Sequence, residues 1–276
     1  MAKSKKKLAD VTKASQNKAL QYEIKWIDWI IWGIYAAIIF YVTAHHEPWR
    51  DEAQSWLIAR DNSIGSLFAY LPNEGHPPLW YLLLMPFSKL GLPYFTANII
   101  HNVIAVSFAW LLLFKIRLPR WLSASILFSY FFLYEYAVIA RNYSMVALLL
   151  AFAGTLYPKR FEKPFWYALV IFLLFQTNIL AFCVGAGLGL LFLWDMIELK
   201  NFKWKNFAAL GVMAAGGLAM IILLLSAGLK SSYSREAEDK VAAFIETFGN
   251  AMLVDKESGG FAVFNLYSLS FVLFPD

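Results

Sequence analysis

Long apolar runs recur along the chain and decide what kind of protein it can form. The first two, Ile24–Ala44 and Phe95–Phe114, each match the roughly 20 residues that cross a bilayer as a helix. Of the 276 residues, 60% are hydrophobic and 16% are charged, whereas about a quarter of the residues in soluble domains are charged. Backbone polar groups in lipid must be satisfied within the segment, so such runs fold as helices. The sequence therefore predicts an all-α, polytopic membrane protein.

Seven membrane-spanning helices are predicted before Lys230. The stretch Phe165–Ile197 is too long for one helix, and the polar triplet Gln176-Thr177-Asn178 divides it into two. With the two runs above, the other predicted spans are Trp121–Ala140, Ser144–Tyr157 and Phe207–Leu229. Residues 261–276 hold the start of a further apolar segment, as expected of a chain truncated at its C-terminus.

The basic residues predict an orientation. Residues 1–25 are rich in lysine and are expected to form a cytoplasmic tail. The short apolar segment Pro77–Gly91 is then predicted to lie in the outer interface, because only this choice puts three later basic clusters inside. These clusters are Lys115, Arg117 and Arg120; Lys159, Arg160 and Lys163; and Lys200, Lys203 and Lys205.

Two segments are predicted on the outer side. The first covers residues 45–93 and is expected to contain interfacial helices. The second covers residues 230–260, where apolar residues at helical spacing predict an amphipathic helix on the membrane surface. The tripeptide Val42-Thr43-Ala44 resembles a signal-peptide cleavage site, but the apolar run before it is longer than a signal core. An uncleaved first helix is therefore favoured.

Two adjacent carboxylates, Asp51 and Glu52, directly follow the first span. On a helix from Asp51 to Arg60, the residues Ala53, Trp56 and Leu57 share one apolar face, and Asp51 points away from it. Such a carboxylate could be a ligand or a base. The alternative is that both acids cap the start of the helix, where negative charge is favourable.

The stretch "EGHPPLWY", Glu74 to Tyr81, places two further polar residues on the outer side. Its two prolines suit the first turn of a helix, and the aromatic pair Trp80-Tyr81 suits the water–lipid boundary. A simple helix entry explains this pattern. The alternative is a metal site in which Glu74, His76 and Asp51 supply oxygen and nitrogen ligands.

Polar residues also stand at the outer ends of later spans. Glu135 and Arg141 bracket the junction of the third and fourth spans, and ionisable groups at membrane depth are often functional. The alternatives are an Arg141 that snorkels to the interface and a Glu135 that pairs with it. Gln176 and Asn178 either line a polar cavity or only link two helices.

In this order, the motifs "WRDEAQSW", "EGHPPLWY" and "EYAVIARNYS" resemble those of the GT-C superfamily of membrane glycosyltransferases, which use polyprenyl-phosphate-linked sugars. The similarity is greatest to bacterial relatives of protein O-mannosyltransferases and to lipid A aminoarabinose transferases, and it covers roughly Trp26 to Leu229. It implies a catalytic module of about seven spans with two large outer loops over residues 26–229. It also implies a location in the cytoplasmic (inner) membrane, with the N-terminus in the cytoplasm.

The resemblance implies roles for the site residues. Asp51 would be the general base for the acceptor hydroxyl, and Glu52 would orient the acceptor or hold Asp51. Arg141 would bind the donor phosphate, and Tyr143 would add a hydrogen bond. The pocket for the acceptor would include the remaining polar residues, namely Glu74, His76, Glu135, Gln176 and Asn178.

The expected partners are a polyprenyl-phosphate sugar, a lipid, glycan or protein acceptor, and the bilayer. No nucleic acid is expected, because much of the net charge of +5 comes from the N-terminal lysines. No cofactor is assigned, and a divalent metal ion remains an alternative. Two other functions stay open: a non-catalytic module that binds lipid-linked sugar, and a transporter. The transporter is less favoured, because the strongest charges cluster at one face and not at mid-membrane.

Overall fold

The computed structural model describes residues 24–230 except Gly75 and Arg117. The predicted basic tail, the predicted amphipathic helix in residues 230–260 and the last apolar segment therefore lie almost wholly outside the described residues. The described part is helical and contains no strand, which confirms the all-α prediction. Its α-helices are α1 (Trp26–Ala44), α2 (Arg50–Asp61), α3 (Ile64–Glu74), α4 (Leu79–Lys89), α5 (Phe95–Phe114), α6 (Arg120–Leu127), α7 (Tyr143–Leu156), α8 (Pro164–Phe175), α9 (Ile179–Glu198) and α10 (Trp204–Lys230).

Four helices of the described chain are long and apolar enough to cross a membrane: α1, α5, α9 and α10 as far as Ser226. Each has at least 19 residues; α1, α9 and α10 are mostly exposed on the protein surface, whereas most of α5 is buried among the other helices. These helices indicate a membrane protein. The predicted number of seven spans is not confirmed, because α7 and α8 have only 14 and 12 residues.

The predicted third span, Trp121–Ala140, is not one helix. The α-helix α6 ends at Leu127, a short π-helix covers Phe131–Glu135, and residues 136–140 form turns. Three side chains from other elements satisfy this irregular backbone: the Tyr35 hydroxyl donates to the Phe132 carbonyl, His101 bonds to the Ala137 carbonyl, and Glu52 accepts from the Ala140 N–H. Irregular backbone at membrane depth is tolerated where protein surrounds it, and residues 137–140 are buried.

The short helix α4 is the helical part of Pro77–Gly91, and it is not among the four helices long enough to cross a membrane alone. The interfacial position of this segment stays a prediction. The helix packs against α2, and five of its 11 residues are buried in the protein core. Trp80 and Tyr81, expected at the water–lipid boundary, are instead buried, with 4% of each residue exposed. The sequence pattern was ambiguous here, because aromatic residues serve both packing and interfaces.

The polar triplet Gln176-Thr177-Asn178 separates α8 from α9, as predicted. Asn178 caps α9 by accepting a hydrogen bond from the Ala181 N–H at 2.8 Å. The Gln176 side chain donates to the Gly216 carbonyl of α10 at 3.1 Å. Gly216 also lets α10 pack closely on α8. A Cβ at this position would lie only 3.2 Å from the backbone of Phe172, so the absence of a side chain permits the contact.

Ion pairs fix the end of the helices opposite to Asp51. Asp28, in the first turn of α1, is buried and accepts two hydrogen bonds from the Arg120 guanidinium, at 2.6 and 3.1 Å. At the far end of α7, Arg160 pairs with Asp195 of α9 at 2.9 Å. The start of α1 and the basic segment after α5 therefore share one end, as the predicted orientation requires.

Labelling of single cysteines checks this arrangement in a Cys183→Ala background. Glu47→Cys, in the exposed loop before α2, and Lys159→Cys, in the exposed turn after α7, are expected to react from opposite sides of the membrane. The measurement is modification by an impermeant maleimide in intact cells and after lysis. Lys115→Cys is the matched control and should behave like Lys159→Cys. Labelling of both Glu47→Cys and Lys159→Cys from outside would contradict the topology.

Candidate functional site

The guanidinium of Arg141 joins two of the predicted site residues. Its Nη1 donates to Asp51 Oδ2 at 2.9 Å, and its Nη2 lies 3.4 Å from His76 Nε2. These three residues come from α2, from the turn before α4 and from the segment before α7. The fold therefore brings together polar groups that are 90 and 65 positions apart in the chain.

The protonation of His76 follows from its partners. Nδ1 faces the Glu74 carbonyl at 2.9 Å, and a carbonyl can only accept, so Nδ1 carries the hydrogen. Arginine can only donate, so Nε2 offers its lone pair to Arg141. The Glu74 carboxylate is engaged separately, because it accepts from Gln54 Nε2 at 2.7 Å. The turn that carries His76 is thus attached to α2 as well as to Arg141.

The two adjacent acids have different environments. The side chain of Asp51 is 55% exposed and pairs with Arg141, whereas that of Glu52 is fully buried. Glu52 accepts from the Trp49 N–H at 2.7 Å at the start of α2. The capping role considered for both residues therefore belongs to Glu52, and the Asp51 carboxylate faces Arg141 across the site.

Glu52 also holds three parts of the chain together. Besides the Trp49 N–H, it accepts from His46 Nε2 at 3.0 Å and from the Ala140 N–H. His46 belongs to the loop after α1, and Ala140 directly precedes Arg141. A buried carboxylate is stable only with such donors, so Glu52 fixes the position of Arg141 relative to Asp51.

A second contact fixes the other side of Arg141. Asn142 is buried and donates from Nδ2 to the Thr177 carbonyl at 2.7 Å. The next residue in that direction, Tyr143, begins α7, and its ring centroid lies 5.6 Å from the Arg141 guanidinium carbon. Arg141 is therefore held between two anchored neighbours while its own side chain remains 23% exposed.

Tyr81 lies close enough to the site for the charges of Glu74 and Arg141 to affect the pKa of its hydroxyl. Burial raises the pKa of the Tyr81 hydroxyl above its usual range, the nearby Glu74 raises it further, and Arg141 opposes them. The phenol is therefore neutral and available as a hydrogen-bond donor at physiological pH. Tyr81 lies in α4, five residues after His76, and is an additional polar group beside Arg141, Asp51 and His76.

Several predicted site residues lie outside this cluster. Glu135 accepts from the Tyr130 hydroxyl at 3.3 Å, and the carboxylate partner of Arg141 is Asp51, which contradicts the alternative of a Glu135–Arg141 ion pair. Gln176 and Asn178 have structural contacts: the Gln176 carbonyl accepts from the Leu79 N–H at 3.1 Å, and Asn178 caps α9. The Gln176 turn thus supports the start of α4, next to His76.

The metal alternative has no ligand cluster in the part of the chain that the structure describes. No group of three or more His, Cys, Asp and Glu side chains there is arranged to hold an ion. The guanidinium of Arg141 occupies the space between Asp51 and His76, where a shared metal ion would have to lie. Glu74 faces Gln54 instead.

A cleft lies on the face of α2 opposite to Asp51. Its volume is about 410 Å³, and α2, the end of α4 and the loop before α5 line it. The lining from α2 includes Ala53, Trp56 and Leu57, the apolar face that the sequence pattern predicted. The helix therefore presents an apolar side to the cleft and the exposed Asp51 carboxylate to Arg141.

Sequence reasoning missed His46, Asn142 and the polar role of Tyr81. His46 lies just before the first motif, at the end of an apolar run, and Asn142 lies inside "EYAVIARNYS" next to Arg141; these positions were the signal that could have found them. Tyr81 carried no such signal, because its hydroxyl is placed by α4 packing alone.

Comparison with known protein families, curated proteins and solved structures finds no match to this chain. The fold and the site by themselves define a class: a helical membrane protein with an Asp–Arg–His cluster at one end of its helices.

The buried position of Glu52 predicts the effect of one substitution. Glu52→Gln replaces an acceptor oxygen with an amide NH₂ that faces N–H groups, so the free energy of unfolding should fall by about 1.5–3 kcal/mol. The measurement is thermal unfolding of the purified protein in detergent. The matched control is Asp61→Asn, an exposed acid on the same helix, which should leave the unfolding temperature nearly unchanged. An equally stable Glu52→Gln protein would show that the three-way contact is unimportant.

Proposed function

We propose that this protein is a membrane glycosyltransferase of the GT-C type. It transfers a sugar from a polyprenyl-phosphate donor to an acceptor hydroxyl on a lipid, glycan or protein at the outer face of the membrane. The observation that carries the proposal is the juxtaposition of an exposed carboxylate, Asp51, with an arginine, Arg141, at 2.9 Å beside apolar helices. A transferase of this kind needs one group to accept a proton and another to bind phosphate.

Asp51 is the proposed general base. Its carboxylate takes the proton of the acceptor hydroxyl while the acceptor oxygen bonds to the anomeric carbon. The bond from that carbon to the phosphate oxygen breaks, and its electron pair leaves with the phosphate. Glycosyl transfer passes through an oxocarbenium-like transition state, so a correctly placed base contributes about two to four orders of magnitude in rate. The exposure of Asp51 leaves room for an acceptor to approach.

Arg141 is the proposed ligand of the donor phosphate. A guanidinium matches two phosphate oxygens with parallel N–H donors and stays charged at every physiological pH. The anchors on both sides, Ala140 and Asn142, keep this donor group in place as negative charge develops on the leaving group. His76, Tyr81 and Tyr143 supply further polar contacts around it.

The proposal includes an orientation. The Asp51 end lies outside, the N-terminus lies in the cytoplasm, and the protein resides in the cytoplasmic membrane with multiple passes. In this proposal the four long helices each cross the membrane once. Three further crossings are made by shorter segments: α6 with the π-helix, α7, and α8. Support comes from the Asp28–Arg120 pair, which puts the start of α1 at the same end as the basic segment after α5.

Asp51→Asn tests the base. Because the structure assigns helix capping to Glu52, asparagine at position 51 should leave expression and thermal stability nearly unchanged. Transfer should fall by at least about a hundredfold, because the amide cannot accept the proton. The measurement is release of polyprenyl phosphate from a panel of polyprenyl-phosphate-linked sugars in isolated membranes. Asp61→Asn is the control and should keep normal turnover; a near-normal rate for Asp51→Asn would place the base elsewhere.

Arg141→Ala tests the phosphate site. Loss of a charged hydrogen-bond donor should weaken binding of polyprenyl phosphate by about 10- to 100-fold. Arg141→Lys should have a smaller effect, because lysine keeps the positive charge but cannot donate two parallel hydrogen bonds. Binding is measured by thermophoresis in nanodiscs. Arg60→Ala, which removes another arginine paired with an aspartate, is the matched control. Unchanged affinity in Arg141→Ala would make Arg141 a structural residue only.

A further inference from the structure

The terminal nitrogens of Arg141 are both engaged inside the protein. Nη1 donates to Asp51 and Nη2 faces the lone pair of His76. A phosphate that binds the edge formed by Nη1 and Nη2 competes with these two partners for that edge, although the guanidinium has five N–H donors in all. The Asp51 carboxylate and the phosphate are both anions, so they repel each other when both lie against this guanidinium.

We propose that the Asp51–Arg141 ion pair is a built-in switch, in which arrival of the donor phosphate on Arg141 releases Asp51 for its role as a base. This inference rests on the proposed function. In the resting protein, Asp51 Oδ2 accepts from Arg141, so the carboxylate is held toward the guanidinium and not toward an acceptor hydroxyl. Once the phosphate replaces it, the carboxylate is free to rotate toward the acceptor.

The surroundings of the pair permit this exchange. The Asp51 side chain is more than half exposed, so it moves into solvent without breaking core packing. The backbone around Arg141 is fixed through Ala140 and Asn142, so the guanidinium stays in place when its partner leaves. The moving group is therefore the carboxylate, and the stationary group is the cation.

The switch has a functional consequence. It favours donor binding before activation of the acceptor, because Asp51 is mostly paired with Arg141 until phosphate arrives. An acceptor hydroxyl that enters first most often meets a carboxylate that is turned toward Arg141. Exposed ion pairs contribute up to about 1 kcal/mol, so the competition should weaken phosphate binding by a small factor, about two- to fivefold.

The test measures binding of synthetic polyprenyl monophosphate to the full chain in nanodiscs, with the uncharged polyprenol as the control for binding of the tail. Asp51→Asn should bind the phosphate about two- to fivefold more tightly than the unmodified protein, although it loses transfer. Glu47→Gln removes an exposed negative charge from the loop just before α2 and should leave the affinity unchanged. In an Arg141→Gln background, adding Asp51→Asn should give no further gain.

The outcomes separate the two proposals. If the unmodified protein binds polyprenyl phosphate no better than polyprenol, the proposed function fails, and the switch fails with it. If the unmodified protein binds the phosphate but Asp51→Asn binds it equally or less tightly, only the switch is wrong. The same gain in the Arg141→Gln background would show simple charge repulsion instead of competition for Arg141, and would also overturn the switch.

Discussion

The buried carboxylate of Glu52 is the contact on which the site depends. It receives hydrogen bonds from the His46 ring, from the Trp49 backbone at the start of α2 and from the Ala140 backbone. These groups belong to the loop after α1, to α2 and to the irregular segment before α7. A buried charge without such donors would be strongly unfavourable, so each segment is held in the one arrangement that supplies a donor. Asp51 and Arg141 face each other because their neighbours meet at Glu52.

The contrast between Asp51 and Glu52 shows how one helix gives two identical charges different roles. Consecutive residues on an α-helix point about 100° apart, so when Glu52 faces the protein, Asp51 faces the opening beside Arg141. The face opposite to Asp51 lines the apolar cleft between α2 and the end of α4. Rotation of α2 is therefore fixed from two sides, by Glu52 bonding and by apolar packing.

The passage between α5 and α7 shows why the site lies where it does. A regular helix there would satisfy its own backbone and leave nothing for side chains of other elements to bind. The turns at residues 136–140 instead expose backbone groups that Glu52 and His101 satisfy, while Tyr35 satisfies the π-helix before them. Arg141 directly follows this irregular segment and therefore lies next to Asp51, at one end of the helices. At the opposite end, the pairs Asp28–Arg120 and Arg160–Asp195 hold the helices together and carry no comparable exposed acid.

The sequence by itself determined the helical class, the membrane character, the helix of α2, the shortness of α4 and the break at Gln176. Each of these depends on local apolar spacing, chain length or turn-forming residues, which act within one segment. It also singled out Asp51, His76 and Arg141 as candidates. Only the tertiary structure decided that Arg141 pairs with Asp51 and not with Glu135, that Glu52 is a buried anchor, and that Gln176 and Asn178 are structural. It also decided that residues 121–140 are not one helix. The main physical reason is distance along the chain: the partners that decide the Arg141 pair, the Glu52–Ala140 contact and the broken passage lie 35 to 97 positions away, and hydrogen bonds between distant segments leave no periodic pattern in the chain.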